Sequence, residues 1–174
     1  LTRSDLFPAN HGAAVKITRT ARWLSSLSGE PCFVVTDDRD RYLRFDGEAV
    51  SEHPYPPRVR AMQEWPLARG GLAGRLCALA GYPEEEHFLY SPQFDPSWVI
   101  RALAVGRREG IDVFQAEFPG YGVPAALAAR ILRAAGGGGR LPLSSIVQHN
   151  VEWDRLAEFG QDLPAARRLE LTAL

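Results

Sequence analysis

Lysine is almost missing from this chain: Lys16 is the only one, and arginine supplies every other member of the 20 basic side chains. Genome composition accounts for that bias as readily as function does. Cysteine is also scarce. Cys32 and Cys77 stand far apart with no C-x-x-C partner, which argues against a disulfide framework or a zinc site and for two buried thiols in a reducing compartment. Neither sign of charge is in surplus, with 20 basic against 21 acidic residues, so the footprint of a nucleic-acid binder is lacking, as is an acidic tail. No stretch approaches the roughly 18 apolar residues that a membrane span needs, and Leu1 to Pro8 has no signal-peptide core. These absences point to a soluble, cytosolic domain, with peripheral attachment to a membrane as an open alternative. No GxSxG elbow, HExxH helix or EF-hand loop occurs, so hydrolase and metalloprotease readings have no motif behind them.

What is present reads as one α/β domain, since 174 residues suffice for one substantial core. After turn residues Pro8 to Gly12, the apolar set Ala14, Ile17, Ala21, Leu24 and Leu27 recurs at helical spacing until Ser28-Gly29. Pro31 to Thr36 is a short β-rich run of the kind buried on both faces. Asp46-Gly47 is a strong hairpin signal between Tyr42–Phe45 and Ala49–His53, and Pro54 to Pro57 breaks the pairing. Trp65 to Leu79 is helical but interrupted by Gly70, Gly71 and Gly74.

Asp95-Pro96 predicts an N-cap with proline in the first turn, opening a helix that runs to Gly110. A strand over Ile111–Glu117, a helix opened by Pro124, a strand over Leu141–Gln148 and a helix over Val151–Phe159 follow. The glycine run Gly136 to Gly139 comes after a helix, the wrong order for a phosphate loop, and reads as a linker. The alternation predicts a Rossmann-like, mainly parallel sheet with helices on both faces. Both ends look cut: little remains before Pro8 to supply a first strand, and an apolar helix stops uncapped at Leu174.

The most informative junction is at His149 and Asn150, where a buried strand pattern gives way to a helix. In open α/β sheets the crevice at the carboxyl ends of the strands is where ligands bind. His149 on such a rigid support suits orientation of a sugar hydroxyl or stabilisation of charge; a histidine that caps the next helix is the plain alternative. Asn150 reads first as an N-cap, and Glu152 either completes the cap or accepts from a sugar hydroxyl. Gly12 opens a helix whose free N–H groups favour an anion, with His11 beside it, although turn glycines and exposed loop histidines are common. Glu117 and Tyr121 follow a strand and pair a carboxylate with an aromatic face, a combination that suits a sugar; a solvated carboxylate and a packed tyrosine are the alternative. The aromatics around Trp65, Phe88 to Tyr90 and Phe94 suit either core or an acceptor groove, with core the plainer reading. Asp38-Arg39-Asp40 matches a D-x-D metal pattern, but acidic turns of this kind are usually solvated.

Pro8-Ala9-Asn10-His11-Gly12, Asp112 to Tyr121 and Gln148-His149-Asn150-Val151-Glu152 together resemble the amino-terminal half of a GT-B, family-4-like retaining glycosyltransferase over about residues 6 to 160. Many such enzymes carry two histidines where this chain has Gln115 and Glu117, and a glycine pair where it has His11-Gly12. The resemblance implies an acceptor-side domain, 1–174, facing a carboxy-terminal donor-binding domain that lies outside this sequence. It also implies a metal-independent hexosyl transfer with no cofactor. A nucleotide sugar would be the donor, and a glycan, lipid-linked or small-molecule hydroxyl the acceptor. Gly12 and His11 would then serve the donor phosphates, His149 the reacting sugar, and Glu117, Tyr121, Asn150 and Glu152 the acceptor or sugar. A non-catalytic nucleotide- or glycan-binding module is the alternative on the same fold. On either reading the chain taken alone is expected to be inactive.

Overall fold

The computed structural model describes residues 1–2, 6–7, 12–65, 71–84, 87–136 and 142–146. It is a mixed α/β structure with two small sheets, an antiparallel one of three strands and a parallel one of two. Helix α1 spans Gly12–Ser28 and gives way at Gly29, whose φ of 70° is the left-handed conformation that glycine adopts without strain. Strand β1 (Cys32–Val34) pairs antiparallel with β2 (Arg41–Asp46), and β2 with β3 (Ala49–Pro54). The Asp46-Gly47 hairpin is there, with Asp46 opposite Ala49 and Gly47 at φ 58°.

This meander corrects the expectation of a mainly parallel sheet in the first half. Only residues 35–40 separate β1 from β2, and a parallel crossover requires a dozen or more. In the second half, β4 (Val113–Ala116) and β5 (Leu143–Ile146) are parallel, joined by α6 (Pro119–Ala134). Leu1 and Thr2 lie between the two sheets. The Leu1 nitrogen donates to the Gln115 carbonyl at 2.6 Å, Glu117 N–H to the Leu1 carbonyl at 3.1 Å, and Thr2 N–H to the Val35 carbonyl at 3.0 Å.

Helix α5 (Pro96–Glu109) is capped as its sequence predicts: the Asp95 carboxylate accepts from Ser97 N–H at 2.9 Å, and Gly110 closes the helix at φ 68°. A cap of this kind stabilises a helix by about 1 kcal/mol. Helix α6 starts five residues before the expected Pro124. Phe118 is extended and Pro119 occupies the first turn, where a missing N–H costs nothing, so Pro124 falls inside the helix. The Pro54–Pro57 stretch ends β3 but also opens a short helix, α2 (Pro57–Gln63), by the same effect. The interrupted helix signal resolves into α3 (Gly71–Leu79), followed by α4 (His87–Tyr90) and a 3₁₀ turn, Ser91–Phe94.

Alternate strand residues feed two cores. Val34 and Phe45 pack with Ala14, Ile17 and Ala21 of α1. Val35, Tyr42 and Phe114 pack with Trp98, Ala102 and Val105 of α5 and with the alanines of α6. A third cluster joins Cys77 of α3 to Tyr82, Leu89 and Tyr90. Tyr90 is core as expected, whereas Trp65 is 61% exposed. Cys32 and Cys77 are free thiols. Among the described residues no helix is long and apolar enough to cross a membrane. The expected strand end beyond Ile146 and the Val151–Phe159 helix lie outside the described residues.

Candidate functional site

Gly12 is the first residue of α1, and the first turn carries no acidic side chain to occupy its N–H groups. Its backbone is not in the left-handed region, and a Cβ added there meets no described heavy atom within 4 Å. Neither local strain nor crowding among these residues therefore requires glycine. One turn further along α1, Lys16 extends to Glu117, which follows the carboxyl end of β4: Nζ and Oε2 are 3.7 Å apart. The side chains differ sharply in exposure, 41% for Lys16 and 7% for Glu117. The other carboxylate oxygen, Oε1, accepts from the Gln115 side-chain amide at 2.5 Å. Glu117 is thus a nearly dry carboxylate held by an amide and an ammonium, not the solvated loop carboxylate of the plain alternative. Burial pushes the nearby Cys32 thiol above its ordinary value, and the Glu117 carboxylate acts in the same direction.

Tyr121 does not present an open ring. It is 2% exposed and sits edge-on to Trp98, with ring centroids 4.6 Å apart and planes at 89°. This is the packed tyrosine of the plain alternative, not an open sugar-stacking face. His11, His149, Asn150 and Glu152 lie outside the described residues. Of the expected site, the structure therefore brings Glu117 close to the helix that Gly12 opens, through Lys16.

Asp38 and Asp40 of the D-x-D pattern serve the turn between β1 and β2. Asp38 Oδ1 accepts from Asp40 N–H at 2.8 Å and Oδ2 from Arg41 Nε at 2.8 Å, while Asp40 pairs with Arg60 at 3.8 Å. Burial raises the Asp38 pKa, but the backbone bond from Asp40 and the Arg41 contacts outweigh it and hold the carboxyl below its ordinary value. Among the described residues no cluster of three or more His, Cys, Asp or Glu side chains could hold a metal ion.

Sequence reasoning missed both Lys16 and Arg101. Arg101 is 1% exposed, yet no carboxylate forms an ion pair with it among the described residues. Its guanidinium donates to the Thr36 carbonyl, to the Asp38 carbonyl at 3.1 Å and to the Ser97 carbonyl at 3.3 Å, and lies 4.0 Å over the Trp98 ring. Burial lowers its pKa. Arg101 ties the segment leaving β1 to α5, as Lys16 ties α1 to the segment leaving β4. The signal for Arg101 was a charged residue inside the apolar stripe Trp98, Ala102, Val105.

The chain matches no protein-family model, and no curated protein or solved structure matches it.

Proposed function

We infer that this chain is the acceptor-side domain of a sugar-nucleotide-dependent glycosyltransferase that transfers a hexosyl group with retention, built on one Rossmann-like half of a GT-B fold. The observation that supports the reading is the Lys16–Glu117 pair, which joins the first turns of α1 to the residue that follows the carboxyl end of β4. Two features of the fold support it. Leu1 and Thr2 hydrogen-bond to β4 on one side and to Val35, next to β1, on the other, as a central strand joining the two sheets would. Alternate strand residues also pack against α1 or against α5 and α6, consistent with helices on both faces.

In this reading the N–H groups that begin at Gly12 hold the leaving diphosphate, with Lys16 contributing positive charge behind them. Glu117 accepts from an acceptor hydroxyl and fixes its approach. His149, with Asn150 beside it in the sequence, is the residue proposed to orient the reacting sugar. Donor recognition falls to the partner domain, so the reaction requires no metal from this chain. A glycan- or nucleotide-binding module without transfer is the competing reading, and turnover separates the two. The protein that joins this chain to a donor-binding domain should release nucleoside diphosphate from one of UDP-glucose, UDP-galactose, UDP-N-acetylglucosamine or GDP-mannose. Glu117→Gln should slow that release by at least tenfold. Binding of a nucleotide sugar without release would favour the module instead.

A further inference from the structure

A cavity lies beside helix α3. It is an open cleft of about 450 Å³ lined by Gly74, Arg75 and Ala78 of α3, by Tyr82 and Glu84, and by His87 at the start of α4. Its floor is firm: Tyr82 stacks on Tyr90 with centroids 4.3 Å apart and planes 13° from parallel, within the buried cluster that includes Cys77 and Leu89. Phe118, the residue after Glu117, packs against the same cluster.

The polar groups are of mixed kind. His87 Nε2 lies 3.0 Å from the Tyr82 carbonyl. A carbonyl only accepts, so Nε2 carries the hydrogen, and in the neutral ring Nδ1 is an acceptor. Among the described lining residues Arg75 supplies donors and Glu84 acceptors, one charge of each sign. A phosphate would face Glu84 and a bare cation would face Arg75, whereas hydroxyls, which donate and accept, satisfy both.

The helix side of the cleft is kept bare. Gly74 and Ala78 are one turn apart, and a Cβ at Gly74 meets no described heavy atom within 4 Å. Glycine inside a helix costs about 1 kcal/mol relative to alanine, and at Gly74 neither crowding nor a left-handed backbone asks for it. The space over α3 at Gly74 is open.

We propose that this cleft is a subsite for a neutral pyranose ring, a hexose unit of the acceptor; the assignment to an acceptor rests on the transferase reading above. The full chain, labelled with ¹⁵N, is titrated with the methyl α-glycosides of glucose, mannose and galactose, and separately with inorganic phosphate. At least one glycoside should give saturable amide shifts confined to residues 74–78, 82, 84 and 87, with a Kd in the millimolar range. Gly74→Leu, which fills the cleft on a helix it should strengthen, and the isosteric Glu84→Gln should each weaken that binding at least tenfold. Three silent glycosides, unchanged binding in both variants, or displacement by phosphate would overturn the proposal. Glycoside binding here in a protein that turns over no nucleotide sugar would sink the transferase reading alone. Turnover without glycoside shifts would sink the subsite alone.

Discussion

Lys16 Nζ stands 3.7 Å from Glu117 Oε2, and this ion pair links the start of the first helix to the end of the fourth strand. Lys16 is four residues after Gly12, about 6 Å along the helix axis. Its side chain is partly solvated but that of Glu117 is nearly dry, so Lys16→Met leaves a buried carboxylate without this cation and should cost about 1–3 kcal/mol in a denaturant melt. In the turnover assay the same variant should lose at least tenfold in kcat/KM, because a positive charge at the crevice is gone. Lys16→Arg should restore the melt but only part of the rate, since a planar guanidinium does not replace a compact ammonium. An unchanged rate in Lys16→Met would detach this residue from the site.

Arg101 bears on the fold more than on the crevice. Arg101→Met leaves the Thr36 and Asp38 carbonyls without their donor and should destabilise the protein by about 3 kcal/mol. Arg101→Lys should not rescue it, because one ammonium on a shorter stem cannot reach the carbonyls on both elements. Chemical denaturation of the two variants checks this, and a loss below about 1 kcal/mol in Arg101→Met would contradict it.

At Gly120 the reason for glycine is contact. A Cβ there would lie 2.1 Å from the Leu89 carbonyl oxygen, a backbone atom that cannot swing aside. Gly120→Ala should therefore lower stability by about 2 kcal/mol or more, against the usual gain from alanine in a helix. Gly74→Ala, by contrast, should raise the melting temperature.

Much of the local structure was legible in the sequence, for reasons particular to each element. Asp95 with Pro96, Asp46 with Gly47, and Gly29 and Gly110 are signals set by chemistry within a few residues, and each marks the element it should. The strand directions were not legible in that way. Pro31 to Thr36 reads the same whether its neighbour runs parallel or antiparallel, and only the short Asp37–Asp40 connection, taken as a constraint, decides it. Pro119 and Pro124 both suit a helix start, and the extended Phe118 before Pro119 selects the first. Of the candidate site, Glu117 was singled out from its place after a strand, but its ion-pair partner Lys16 was passed over because it belongs to a helix a hundred residues earlier. Tyr121 stayed open between two readings because an aromatic after a strand fits a wall as well as a ligand face, and its packing against Trp98 is the packed-tyrosine alternative.

The Asp38 turn should respond to acid. Its carboxyl is held below the ordinary value in the folded chain, so its contribution is fully present above the unfolded pKa of about 3.9 and is lost as pH falls through the folded value. Asp38→Asn should reduce stability at neutral pH and flatten the acid limb of the stability profile below about pH 4. Parallel profiles for variant and parent, measured by urea melts between pH 2 and pH 7, would refute that assignment.

The central claim concerns the chemistry at the crevice, and the anomeric centre of the product reports on it most directly. With the protein that joins this chain to its donor-binding domain, an α-linked nucleotide hexose and an acceptor glycoside, ¹H NMR of the first product formed should show an α-anomeric proton. His149→Ala should slow its appearance by about 100-fold without changing the anomer, as expected for loss of one positioned polar group in a dry site. A β-anomeric first product, or no transfer from any nucleotide sugar by a protein that melts cooperatively, would contradict the account.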